Sequence, residues 1–449
     1  MSLTESLGIL GWNELDPILL AALALETPVL LVGPHGTAKS LLVERVALAL
    51  NEEFRHYNAS LLNYDDLVGI PMPNQGKLEF LGTPGSIWGA GFVFFDELSR
   101  CRPDLLNKLF PILHERRVAG LELPGLRHRW AAMNPPFAGE PEQDAEGYLG
   151  AETLDLALTD RFGFVVRVPA WSELTERERR AVVRGESARA ETDLKRQIEQ
   201  CRALLPARVS ESAAGYVVTV VEQLAGAKLP LSPRRARMLG LNLEAMQAAH
   251  DVLGLKWELE ETVERTLFAS LPQTAGPEPP GSITVRTCHL QAWALCRLEP
   301  SNPRRRLLEE RDPVRRLLKG LELDLSVCEL SGLVTGALAD EKCEPRCMGL
   351  GAALFLAFRE ARELTPAAWE ALWQAGRRVL EPRSAEISVV PGAERDLWQN
   401  ISKWLAQNRP PLERNFVLAG FPDLWRRWSW KKCLETFRED LASFRVKAA

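Results

Sequence analysis

Gly33-Pro34-His35-Gly36-Thr37-Ala38-Lys39-Ser40 sets small residues, a lysine and a hydroxyl at the spacing G-x-x-x-x-[G/A]-K-[ST]. The chemistry this suits is anion binding. Loop N–H groups and the start of a following helix can cradle phosphate oxygens. Lys39 adds a mobile cation for the β and γ phosphates, and the Ser40 hydroxyl is placed to bind Mg2+. Ala38 stands where such loops usually carry a third small residue, glycine.

Roughly 55 residues further on, the apolar run GFVFFDELSR ends in Asp96-Glu97. Asp96 would hold the Mg2+ shell and Glu97 would polarise an attacking water. An apolar run ending in two carboxylates commonly marks only a strand running into solvent. Its distance from the lysine loop favours the functional reading. Asn134, at the end of RHRWAAMNPP, offers an amide for a γ-phosphate oxygen and the water, or else a turn before Pro135. Arg161, in LALTDRFGFVVRV, is either an exposed surface residue or a cation projecting across a subunit interface.

These side chains need elements to hold them. Pro28 to Val32 reads as a short buried strand, and LLVERVALAL after Ser40 as a helix. GWNELDPILLAALALE (11–26) predicts a helix capped by Asp16 with Pro17 in its first turn. Strands are expected at 54–60, at Phe92 to Phe95, at 127–136 and around Val165, Val166 and Val168, with a helix from Pro103 to Glu115. A carboxylate at the C-terminal end of a parallel strand lies where ligands gather in such sheets. Asn74-Gln75-Gly76 between runs 68–72 and 77–81 predicts an inserted hairpin, with an irregular loop as the alternative.

Composition narrows the class. A chain of 449 residues, 46% hydrophobic and 26% charged, is ordinary for a soluble protein of about two or three domains. MSLTESLGILGWNELD has neither the basic nor the apolar region of a secretion signal, and no apolar run approaches the ~20 residues of a membrane span. Eight cysteines without a paired framework suit a reducing cytosol, and Cys343 with Cys347 makes a C-x3-C lacking a second ligand pair. The net charge of −5 divides into −9 over residues 1–300 and +4 over 301–449, an asymmetry too mild to mark the whole chain as a nucleic-acid binder.

With these residues laid out, the first 300 positions resemble the MoxR branch of the AAA+ ATPases. GPHGTAKS is similar to that branch's phosphate loop, which often carries alanine where Ala38 stands. DDLVG (65–69) with the hairpin resembles its insertion in the second helix, FFDELSR its second nucleotide motif, and HERRV (114–118) the helix end that follows. AAMNPP resembles its sensor strand, LTDRF its arginine-finger segment, PAWSELTERER (169–179) the start of its helical lid, and LSPRRAR (231–237) the lid motif whose arginine reaches the nucleotide in cis.

The resemblance implies an AAA+ α/β fold: a P-loop parallel sheet with helices on both faces (1–170), a helical lid (171–300) and a mainly helical C-terminal region (301–449). Carried over, Gly33, Pro34, His35, Gly36, Thr37, Ala38, Lys39, Ser40 and Leu41 bind ATP, and Ser40 with Asp96 binds Mg2+. Glu97, Asn134 as first sensor, and Arg161 as a finger on the neighbouring subunit's ATP perform hydrolysis. Arg234 is the second sensor, with Arg235 a near substitute. The resemblance further implies a cytoplasmic ring, usually hexameric, that remodels or matures a client protein, with a von Willebrand factor A domain protein as frequent partner. The hairpin at 70–82 would face the pore or that partner.

Residues 301–449 resemble no family, but helices are expected after Thr365-Pro366 and over about 393–407. Seven of the 13 tryptophans lie after residue 365. The Arg/Trp/Lys cluster at 425–432 fits a helical core with a wet basic face, a base-stacking surface or a docking surface. Three functions therefore stand: a ring-forming remodelling ATPase, a nucleic-acid motor, and a nucleotide-switched scaffold that hardly hydrolyses. The paired Asp96-Glu97 with Asn134 and Arg161 favours catalysis.

Overall fold

The computed structural model describes residues 2–74, 77–136, 153–185, 193–299, 301–310, 312–359, 363–381, 393–421 and 423–444. The chain forms two compact units, Met1–Arg297 and Leu298–Ala449.

In the first unit the strands are β1 (Val29–Val32), β2 (Phe54–Asn58), β3 (Ile70–Asn74), β4 (Lys77–Leu81), β5 (Phe92–Asp96), β6 (Arg117–Val118), β7 (Leu121–Glu122), β8 (His128–Met133) and β9 (Phe164–Arg167). Five of them make one parallel sheet in the order β2-β5-β8-β1-β9. The apolar strands β1, β5, β8 and β9 are buried almost throughout, as parallel strands under helices must be, while β2 at the edge is largely accessible. Val29 and Leu31 pack into one core layer, while Leu30 and Val32 pack into the other.

The helices are α1 (Leu3–Ser6), α2 (Asp16–Leu25), α3 (Lys39–Leu50), α4 (Tyr64–Val68), α5 (Pro103–Glu115), α6 (Leu156–Thr159), α7 (Glu176–Arg184), α8 (Leu194–Leu204), α9 (Glu211–Gly226), α10 (Pro233–Leu253), α11 (Leu259–Ala269) and α12 (Ser282–Cys296). One face of the sheet carries α2 and α3, the other α5. Leu239 and Leu243 of α10 join a separate core with α9, α11 and α12. Farther along the same helix, Ala245, Met246 and Ala249 pack with α2 and α8 on the sheet layer. One helix, α10, thus contributes to both cores.

Two local expectations shift. The helix begins at Asp16, but Asp16 does not cap it: its carboxylate accepts from Ser2, Leu3 and Thr4 instead. The hairpin forms as β3–β4 with Ile70 opposite Leu81, two residues later than 68–72. Its turn residues Gln75 and Gly76 lie outside the described residues.

The second unit is helical among its described residues: α13 (Pro303–Glu309), α14 (Pro313–Leu321), α15 (Val327–Asp340), α16 (Glu344–Phe358), α17 (Pro366–Leu380), α18 (Ala393–Leu405), α19 (Pro411–Gly420) and α20 (Trp430–Ser443). Gly351 and Gly376 let α16 and α17 touch backbone to backbone, since a Cβ on Gly376 would lie 2.6 Å from the Ala352 nitrogen. Trp425 is buried with Nε1 donating to the Val417 carbonyl at 2.7 Å, and Trp430 is buried as well. Within 425–432 only Trp428 among the tryptophans is exposed, so the segment sets two core tryptophans beneath an exposed basic face.

Candidate functional site

Past β1 the chain turns through Gly33, where a Cβ would strike Val168 Cγ2 at 2.3 Å, and through Gly36 at φ +74°. Ala38 takes φ 70°, a left-handed conformation that costs an L-residue roughly 1–2 kcal/mol. The loop must therefore be fixed by its surroundings. No side chain caps α3, which leaves its first N–H groups for an anion.

Lys39 is 7% exposed and folds back over the loop. Its Nζ donates to the carbonyls of Gly33 at 2.8 Å and Pro34 at 2.7 Å, and to Asn134 Oδ1 at 3.5 Å. Burial pulls its pKa down to about 8, against the opposing pull of Asp96 and Glu97. Ser40 Oγ donates to Asp96 Oδ2 at 2.5 Å, and the Glu97 N–H donates to Asp96 Oδ1 at 2.9 Å. Burial works to raise the Asp96 pKa, but hydrogen bonds from His56, Ser40 and the Glu97 amide outweigh it and hold the group below its ordinary value. Glu97 itself sits at φ 54°, with its carboxylate 3.7 Å from Arg100.

His56 was not singled out from the sequence. Strand pairing sets Asn58 opposite Asp96, and this brings His56 Nε2 within 3.6 Å of Asp96 Oδ2. Only the register supplies that contact.

Beside the loop opens a cavity of about 390 Å3, within the range of small-molecule sites. Pro34, His35, Gly36, Thr37, Ala38 and Leu41 form one wall. Gly8, Ile9, Leu10 and Trp12 form a second, and Trp171, Leu174 and Val182 a third. The lining combines the loop, whose backbone N–H groups suit anions, with apolar side chains such as Ile9, Trp12, Trp171 and Leu174 that suit a flat ring. The sequence hid this wall because its residues lie about 25 positions before the loop and some 140 after it.

Arg161 and Arg234 stand elsewhere. Gly163 N–H bonds to the Pro28 carbonyl, so the segment before β9 meets the start of β1, whereas Gly33 follows its end. Four residues of strand separate those edges by roughly 13 Å. Ser232 Oγ donates to both Asp160 oxygens, at 3.0 and 2.9 Å, and Arg234 Nη1 lies 3.7 Å from Asp160 Oδ2. Arg161 donates to the Ala157 carbonyl, with its guanidinium 4.5 Å over the Phe110 ring. Burial and the cations of Arg234 and Arg161 together lower the His114 pKa.

Arg234 thus pairs with Asp160 at the edge of the sheet where β1 starts, the edge opposite Gly33 and Lys39. Arg235, the substitute, is fully buried, donating to Gly163 O at 3.0 Å and Thr159 O at 2.8 Å. It braces the fold. Burial brings its pKa down to about 10, against the pull of Asp160.

The strand order, with Lys39 and Ser40 at one end of β1 and Asp96 at the end of β5, defines the domain type. Residues 28–162 match the family model of the AAA domain, dynein-related subfamily. The matched residues run from β1 through Phe162, and the sheet with helices on both faces gives an AAA+ α/β fold. Among solved structures, the chain is similar to a candidate ATPase from Cytophaga hutchinsonii, with 20% identity and a TM-score of 0.43 over 60% of this chain and 84% of that one. None of the curated proteins compared with the chain matches it. No helix among the described residues is long and apolar enough to cross a membrane.

Proposed function

We propose that this chain is a MoxR-like AAA+ ATPase that hydrolyses ATP in a ring of like subunits, hexameric as is usual in that branch. The observation that carries this reading is the convergence of Lys39, Ser40, Asp96 and Asn134 on one loop beside a cavity of nucleotide size. Loop and helix N–H groups with Lys39 hold the triphosphate, and the apolar walls take the base. Ser40 Oγ and Asp96 Oδ2 are hard oxygen donors 2.5 Å apart, a set that fits Mg2+. Bound there, the metal would neutralise phosphate charge. Glu97 takes the proton of the attacking water, and Asn134 orients that water and a γ oxygen.

Arg161 and Arg234 share one edge, away from their own chain's Lys39, which supports both acting on the nucleotide of the adjoining subunit. A cation supplied that way is worth ~10³–10⁵ in rate, so hydrolysis depends on assembly. The resemblance to the MoxR branch supports a chaperone-like remodelling or maturation role in the cytoplasm, on a client presented with a von Willebrand factor A domain partner. The second unit, 298–449, is our candidate for client or partner binding.

The test is Lys39→Ala, read by ATP binding and by phosphate release. Loss of both is expected; unchanged affinity would refute the site. Capture from cell extract with Glu97→Gln and ATP then tests the partner.

A further inference from the structure

The Asp16 carboxylate is 5% exposed and lies outside the catalytic arrangement, yet four donors converge on it. Oδ2 accepts from the Leu3 N–H at 2.7 Å and from Ser2 Oγ at 2.5 Å. Oδ1 accepts from the Thr4 N–H at 2.9 Å and from Thr4 Oγ1 at 2.8 Å. All four come from residues 2–4. Burying an ionised carboxylate is expensive unless its acceptors are filled, so these bonds fix where the segment lies.

The bonds continue toward the cavity. The Thr4 carbonyl accepts the Ile9 N–H at 2.9 Å, and the Glu5 carbonyl accepts the Gly8 N–H at 2.8 Å. Gly8, at φ +73°, turns the chain there, and Gly8, Ile9 and Leu10 then form the wall across from the phosphate loop. From α3, Arg45 Nη1 donates to the Leu7 carbonyl at 2.5 Å. Two successive hydrogen bonds thus join Asp16 to a residue lining the base end of the cavity.

We propose that Asp16 is a positioning residue for nucleotide recognition: by anchoring residues 2–4 it fixes the Gly8–Leu10 wall, and so sets affinity for the base while leaving the phosphate end unaffected. This rests on the nucleotide reading of the cavity. The phosphate loop joins β1 to α3, whereas the Gly8–Leu10 wall is held by Asp16 and, through Arg45, by α3, so the Asp16 bonds are the part of the wall's support that the loop does not share.

The experiment compares ATP with inorganic tripolyphosphate, which has the phosphates and lacks the base. In Asp16→Asn the amide keeps one acceptor and presents donors to the other pair of donors, so the anchor is broken at constant size. ATP should bind at least tenfold more weakly, tripolyphosphate within twofold of wild type. KM for ATP should rise with Kd, and kcat at saturation should stay within twofold. Equal weakening of both ligands, or a fall in kcat at constant KM, overturns the proposal.

Thr4→Val, which removes one of the four donors, should give a smaller shift of the same kind; a shift of both ligands alike also overturns it. Should Asp16→Asn not fold, amide hydrogen exchange in wild type decides. ATP and not tripolyphosphate must slow exchange at Thr4 and Ile9, and equal slowing or none counts against the proposal. Failure of the underlying nucleotide reading looks different: wild type would bind neither ligand, or Lys39→Ala would leave both affinities unchanged.

Discussion

Ser40 Oγ and Asp96 Oδ2 stand 2.5 Å apart although 56 residues separate them in the chain. The contact joins the first turn of α3 to the end of β5, across a sheet in which β5 neighbours β8 and β8 neighbours β1. Lys39, next in sequence to Ser40, reaches Asn134 at the end of β8 in the same way. Three loops that follow parallel strands are thereby tied at one sheet edge.

Lys39 titrates at about 8, so its charge changes within an accessible range. A triphosphate binds the ammonium form and raises its pKa, so binding takes up protons near pH 8. ATP affinity should fall as pH rises from 7 to 9. Calorimetry in buffers of different ionisation enthalpy should show proton uptake, and Lys39→Arg should flatten the profile, since a guanidinium stays charged.

Glu97 follows Asp96 in a left-handed conformation, its N–H donating to Asp96 Oδ1 and its carboxylate 3.7 Å from Arg100. Glu97→Gln should lower turnover ~10²–10⁴-fold while ATP affinity stays near wild type. Single-turnover phosphate release together with equilibrium binding separates the two. Equal turnover in both proteins would remove Glu97 from the catalytic role.

Arg161 belongs, in the proposed assembly, to the neighbour's site. Arg161→Ala should abolish most turnover, ~10³-fold or more, without weakening ATP binding to the isolated subunit. Mixing it with Glu97→Gln should restore part of the activity, because each defect then leaves some sites intact. No restoration would argue for a role within one chain.

Arg234 and Arg235 are adjacent but differ in consequence. Arg235 is fully buried and bonded to two carbonyls with Asp160 beside it, so Arg235→Ala should cost about 3–5 kcal/mol of stability. Arg234 is half-exposed, and Arg234→Ala should alter stability by less than about 1 kcal/mol while lowering turnover of the assembled ring. Urea unfolding and ATPase rate, measured on both variants, test the division of roles.

The phosphate loop was legible because its chemistry is local: eight consecutive residues carry the cation, the hydroxyl and the small residues the turn needs. Asp96-Glu97 and Asn134 were legible because each ends an apolar run, and parallel strands deliver their C-terminal ends to one edge. β1, α3, α5 and β8 follow the sequence for the same reason, since hydrophobic period and turn residues act over short distances.

Asp16 could be read only as a helix cap, its commonest local use, because the donors that claim it lie 12 to 14 residues earlier. His56 became part of the site through strand register, and the apolar wall at Gly8–Leu10 through a turn closed by Thr4. Which of Arg234 and Arg235 is buried depends on the packing of α10 on Thr159 and Gly163, which encloses Arg235. The sequence by itself determined the type of chemistry, because covalent neighbours carry it. Which arginine faces out, and which edge it faces, was decided only when distant segments packed, because burial and register are properties of the folded chain.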